Sequence, residues 1–183
     1  MIGEFIEAFV LVFAAEVGDK TQLMLMTLSA KYSIIQMLLG ILLGVVLNHG
    51  AAVYIGCFLS NMINNGLLQM FAGIMFIIFG IITIVFDDEN EKERNFKFGP
   101  IITTALTFFL GEIGDKTQLT AMTLAMEGNY PIVILAGSVT GMLAIGMVGI
   151  IIGTSLTKHI PSYIIKIISG LVFIIFGVMR LNG

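Results

Sequence analysis

Four carboxylates, two lysines and several neutral oxygens stand inside apolar runs of this chain, as two copies of one motif. Glu16-Val17-Gly18-Asp19-Lys20-Thr21-Gln22 is matched by Glu112-Ile113-Gly114-Asp115-Lys116-Thr117-Gln118. An ionised side chain at the middle of a bilayer costs about 2.5–3.5 kcal/mol on insertion scales, so such residues face a protein interior and mark ion pathways. On a helix, Glu16 and Asp19 share a face, as do Glu112 and Asp115, with Gly18 and Gly114 leaving room for backbone or ion to approach. The donors Glu16, Asp19, Glu112 and Asp115, with Thr21, Gln22, Thr117 and Gln118 beside them, are all oxygens. Oxygen donors suit hard divalent cations such as Ca²⁺, Mn²⁺ or Mg²⁺, whereas the Cys and His that favour Zn²⁺ or Cu⁺ are missing from the motif. Four carboxylates less the charges of Lys20 and Lys116 leave two negative charges, which one divalent ion neutralises. Each lysine lies four residues after its own glutamate and is placed to pair with it on a helix. The plainer alternative, charges that only glue the two copies together, is disfavoured because buried ion pairs are poor sources of stability.

The elements that must position these groups are themselves duplicated. Residues 16–28 and 112–124 are identical at ten of thirteen positions, and the correspondence continues with Gly40 and Gly44 against Gly137 and Gly141 and with Gly56 against Gly153. It ends with Gly73-Ile-Met-Phe-Ile-Ile-Phe-Gly80 against Gly170-Leu-Val-Phe-Ile-Ile-Phe-Gly177. Glycines at four-residue spacing, including Gly149 and Gly153, let helices pack closely and need bind nothing.

Hydrophobic residues make up 57% of the 183, charged residues only 11%, and the mean hydropathy is +1.03. Soluble domains carry about 25% charge, so this is a membrane protein. Apolar runs at Phe5–Met26, Ile34–Gly56, Leu67–Phe86, Pro100–Met122, Pro131–Gly153 and Ser162–Met179 are each near bilayer length. The expected fold is all-α, with six transmembrane helices forming two three-helix repeats, 1–86 and 100–183, joined by an acidic cytoplasmic linker, 87–99. Three is odd, so the second repeat enters from the opposite side and is inverted, the plan secondary transporters use for alternating access around a midplane site. Pro100, Pro131 and Pro161 stand at span starts. Tyr32, Tyr130 and Tyr163 stand at the interfaces. Lys31, Lys92, Arg94, Lys97, Lys158 and Lys166 fall on one side and Arg180 on the other, placing both termini outside a cell membrane. Glu4 and Glu7 speak against a cleavable signal. The net charge of −3 and the absence of basic patches argue against nucleic acid, and Cys57 reads as a small core residue.

The doubled ExGDKT signature resembles the family of small membrane cation exchangers that includes Golgi and chloroplast manganese and calcium transporters and bacterial manganese exporters. The resemblance covers nearly the whole chain. It implies that Glu16, Asp19, Glu112 and Asp115 bind the ion, with Thr21, Gln22, Thr117 and Gln118 as weaker ligands. It further implies export of Mn²⁺ or Ca²⁺ from the cytoplasm in exchange for protons, without a resident cofactor. The short linker resembles prokaryotic members, which favours Mn²⁺.

Two rival readings are weaker. An intramembrane aspartyl protease also uses two membrane aspartates after glycines, but here Lys follows each Asp, Glu16 and Glu112 stand where a GxGD motif needs glycine, and no Tyr-Asp pair occurs. A passive cation channel shares the acidic site without proton coupling. Asn48 and His49 interrupt the second span without counterparts, since Ile145 and Gly146 stand opposite them, and are read as polar residues satisfied by a neighbouring helix. Glu7 and Glu127, near span ends, read as solvated interfacial carboxylates.

Overall fold

The computed structural model describes residues 1–17, 19, 25, 28, 29, 31–85, 98–159 and 162–182. Among these the chain is all helical, with no strand. The helices are α1 (Ile2–Glu16), α2 (Ile34–Ser60), α3 (Asn65–Val85), α4 (Pro100–Gly111), α5 (Lys116–Glu127), α6 (Pro131–His159) and α7 (Ser162–Asn182). Three stretches, Ile34–Ser60, Gly66–Val85 and Pro131–Ile151, are long and apolar enough to cross a membrane, while Pro100–Gly111 and Ile167–Asn182 are shorter apolar helices. Gly18, Lys20, Thr21, Gln22, the linker charges and Pro161 lie outside the described residues.

Local sequence signals set several helix ends. Ser33 opens α2 with a capping box, its hydroxyl accepting from the Gln36 N–H at 3.4 Å while Gln36 Oε1 accepts from the Ser33 N–H at 3.2 Å. Pro100 and Pro131 stand first in α4 and α6, where a missing N–H costs nothing. The fourth apolar run, expected to be one helix over Pro100–Met122, is instead broken into α4 and α5 at Glu112–Asp115. Gly114 is the reason: its φ of +77° is left-handed, which no continuous right-handed helix accommodates.

Glycines control the packing. A Cβ at Gly40 would lie 2.8 Å from the Ile101 oxygen, and one at Gly44 would lie 2.5 Å from the Ala105 oxygen, so α2 runs parallel to α4 at backbone contact. In the other half Gly137 meets the Phe5 oxygen at 2.5 Å and Gly141 the Phe9 oxygen at 2.8 Å, so α6 runs alongside α1 in the same sense. Phe5 and Phe9 are the duplicates of Ile101 and Ala105, so the two halves exchange equivalent contacts. Between α3 and α7 the exchange is reciprocal. Gly80 meets the Gly170 oxygen and Gly170 the Gly80 oxygen, both at 2.6 Å, while Gly73 and Gly177 meet each other's oxygens at 2.9 and 2.7 Å. The pairing of 73 with 177 and of 80 with 170 makes α3 and α7 antiparallel.

Buried Phe76, Phe79 and Phe173 fill the seam of α3 and α7, with ring centroids 6.2 Å apart for both Phe173 pairs. A second core joins Val12, Met37, Ile41, Val45, Phe108, Met142 and Ile145. The outside is as apolar as the inside, with Ile35, Leu47, Tyr54 and Ile132 between 62 and 81% exposed, while Glu16 and Glu112 are buried. Charges inside and aliphatic side chains outside suit a lipid surround.

Candidate cation site

Each motif copy forms the same tight turn at a helix end. The Asp19 N–H donates to the Glu16 oxygen and the Asp115 N–H to the Glu112 oxygen, both at 3.2 Å. Val17 sits at φ −64° and ψ 119°, and in the other copy Gly114 sits at φ +77°, values that match the first and second central positions of a type II turn respectively. Glu112 and Asp115 therefore do not share a helical face; the turn between them aims the two carboxylates independently. The pairing of Lys116 with Glu112 is overturned for the same reason. Glu112 lies before the break and Lys116 is the first residue of α5, so no helical four-residue spacing joins them.

Lys116 pairs across the duplication instead. Its Nζ lies 2.5 Å from Asp19 Oδ2, and neither side chain is more than 14% exposed. Glu16, Asp19 and Asp115 each bring a carboxylate oxygen within 4.8 Å of the others, so acids from both copies meet in one cluster. Glu16 and Asp19 are buried and Asp115 is half-buried. Glu112 is not one of the three; its Oε2 accepts from Thr117 Oγ1 at 3.1 Å. The helix ends reinforce the charge: α1 and α4 point their C-termini at the motif glutamates, adding partial negative charge that attracts cations.

The remaining expected ligands divide. Thr117 is fully buried and reaches the site through Glu112. Gln118 holds backbone: its Oε1 accepts from the Gly114 N–H at 2.6 Å and its Nε2 donates to the Asn48 oxygen at 3.5 Å. Thr21 and Gln22 lie outside the described residues. Asn48 reaches a neighbouring helix, as its sequence position suggests, with Nδ2 donating to the Phe109 oxygen at 3.2 Å, while its Oδ1 has no hydrogen-bond partner among the described residues. His49 is fully buried, and among the described residues neither ring nitrogen has a hydrogen-bond partner.

Glu7 and Glu127 are not simply solvated. Arg180 joins them, with Nη2 2.7 Å from Glu7 Oε1 and Nε 3.1 Å from Glu127 Oε2, tying α1, α5 and α7 together. Beside them Glu4 accepts the N–H groups of Asn129 and Tyr130 at 3.1 and 3.0 Å. Sequence spacing carries no trace of contacts that span more than 120 residues.

Buried acids from two copies of one motif, meeting between broken helices, are the arrangement of a cation carrier. The family model described as divalent cation/proton antiporter GDT1 matches residues 4–91 and 100–183, taking in both motif copies. The chain belongs to this antiporter family. A Vibrio cholerae member named "Putative manganese exporter" is 26% identical over 165 residues, covering 89% of this chain and 82% of its own length. GDT1-like protein 5 of Oryza sativa is 24% identical over 219 aligned residues, covering 98% of this chain and 94% of its own. The divalent cation/proton antiporter GDT1 of Saccharomyces cerevisiae is 34% identical over 86 residues, 46% of this chain and 30% of its own. No solved structure matches the chain. The family is a class of transporters rather than of enzymes, consistent with a site built from acids and a lysine.

Proposed function

We propose that this chain exports Mn²⁺ from the cytoplasm, with Ca²⁺ as the alternative cargo, in exchange for protons. The observation that carries the reading is the cluster of Glu16, Asp19 and Asp115, drawn from both motif copies and faced by Lys116. Glu112 completes the acid set, with Thr117 and Gln118 and, from the first copy, Thr21 and Gln22 as weaker contributors. Oxygen donors favour a hard divalent ion, and the name of the Vibrio cholerae relative favours manganese among them.

A carboxylate must give up its proton to bind a metal ion, so metal binding at these acids releases protons. Protons and metal thus compete for the same oxygens. A divalent ion arriving from the cytoplasm displaces protons and draws Asp19 away from the Lys116 ammonium; protons from outside then displace the metal. Alternating access comes from rocking of two inverted three-helix units, 1–86 and 100–183, around this point, across six membrane passes with both termini outside and the linker 87–99 in the cytoplasm. The antiparallel α3 and α7 and the exchanged glycine contacts support that symmetry.

The test is Mn²⁺ flux in proteoliposomes with an imposed pH gradient, compared with Ca²⁺ and Mg²⁺. Uphill Mn²⁺ movement that a protonophore collapses is the expected result. Metal accumulation indifferent to both pH and protonophore would overturn exchange and favour a channel. Impermeant thiol reagents should reach a cysteine placed at Asn182 from outside the cell but not one at Lys92; the reverse pattern would overturn the orientation.

A further inference from the structure

Among the described residues the two motif copies differ at a backbone hydrogen bond. In the first, the Val17 N–H donates to the Phe13 oxygen at 3.2 Å and extends the helical pattern past Glu16. In the second, the duplicate carbonyl, Phe109, receives no such bond: among the described residues the Ile113 N–H donates to no backbone carbonyl, and the Asn48 amide occupies the Phe109 oxygen at 3.2 Å. A carbonyl in the last turn of a buried helix needs a donor from somewhere, and a side-chain amide serves as well as a backbone one. Asn48 reaches it because Gly40, Gly44 and Asn48 follow one another at four-residue steps on the face of α2 packed against α4. On α6 the same steps run Gly137, Gly141, Ile145, and isoleucine has no donor to offer. The sequence asymmetry and the backbone asymmetry thus fall at the same place. The Asn48 oxygen also accepts from Gln118, which grips the Gly114 N–H, so α2 holds the second turn from both sides.

We propose that Asn48 is a positioning residue of the transport site: it replaces the Ile113 N–H on the Phe109 carbonyl, ends the second half-helix one hydrogen bond early, and frees 113–115 to carry Asp115 to Glu16 and Asp19. The role rests on the transport reading above, but its backbone consequence is measurable without transport.

Asn48→Ile gives α2 the residue its duplicate has, and Asn48→Leu keeps the branched shape of asparagine while removing the donor. In either variant the Ile113 N–H returns to Phe109, so its hydrogen exchange in purified metal-free protein slows about tenfold, whereas simple loosening of the fold would speed it. In proteoliposomes the Mn²⁺ half-saturation rises about tenfold while the maximal rate stays within about twofold, as expected for a site whose acids are displaced but present. Asn48→Gln, which keeps the amide, stays within about threefold of the original half-saturation on the same scale. Unchanged Ile113 exchange and unchanged half-saturation in Asn48→Ile would overturn the role. So would faster Ile113 exchange with equal losses in all three variants, which is the signature of a merely structural residue. Asn48→Leu keeps both measurements available if Asn48→Ile does not fold. Absence of Mn²⁺ flux from the unaltered protein would instead overturn the transport reading, while Ile113 exchange still decides the hydrogen-bond swap.

Discussion

The first and second motif copies share most of their residues, yet among the described residues their acids contribute unequally to one cluster. Glu16 and Asp19 both enter the buried cluster, whereas in the second copy Asp115 enters it and Glu112 is tied to Thr117. Lysine use is crossed as well, since Lys116 of the second copy faces Asp19 of the first. Duplication therefore supplies donors in pairs, and neighbouring elements decide which donors converge. Asn48 on α2, without a counterpart on α6, is the clearest such neighbour.

That comparison can be broken most forcefully at the acids. Asp19→Asn removes one acid of the trio and the carboxylate that Lys116 faces, and proteoliposome Mn²⁺ uptake should fall at least about 100-fold. Glu112→Gln, which can still accept from Thr117, should cost less than Glu16→Gln; a larger loss at Glu112 would show that the trio is not the binding set.

The matched glycines offer a sharper probe. Gly44→Val and Gly141→Val each drive a side chain into the facing backbone, at about 1–3 kcal/mol. Thermal melts in detergent should show similar losses for both, and a one-sided loss would mean that the halves pack differently. Gly114→Ala forces a Cβ into the left-handed region, costing about 1–2 kcal/mol, so uptake should fall by roughly a factor of ten with little change in expression. Wild-type uptake in Gly114→Ala would mean that the turn is not required.

The smallest effect expected is at Glu127, beyond the apolar part of α5. Burial pushes its carboxyl up to about 7 from an ordinary 4.5, with Arg180 opposing and Glu7 adding to the shift. A folded-state value above the unfolded one means that the protonated form favours the fold. This contribution is complete below about pH 4.5 and is lost as pH rises through about 7. Melting temperature should therefore decline over that window, and Glu127→Gln should flatten the decline. An identical slope in the variant would remove Glu127 as its cause.

The sequence made the acids, the duplication and the close-packing glycines legible, because polar residues in apolar runs and glycines at fixed steps each have few physical explanations. The helix break at Glu112–Asp115 was harder to read. In a run whose two flanks are both apolar and of helical length, periodicity gives no warning of an interruption, and from sequence Gly114 reads as room for an ion rather than as a left-handed turn. A signal was nonetheless present: Gly114-Asp115 is a turn dipeptide, and Asp115 before Lys116-Thr117-Gln118 has the form of a helix N-cap. The pairing of Arg180 with Glu7 and Glu127 had no local signature, because it depends on three helices meeting.

The seam of α3 and α7 has one more consequence. Its contacts are unchanged when the two helices trade places, Gly73 against Gly177 and Gly80 against Gly170. An interface of that kind is what two identical subunits make when each presents the same patch to the other about a twofold axis. A gene encoding a single three-helix unit would already possess a surface able to bind its own copy.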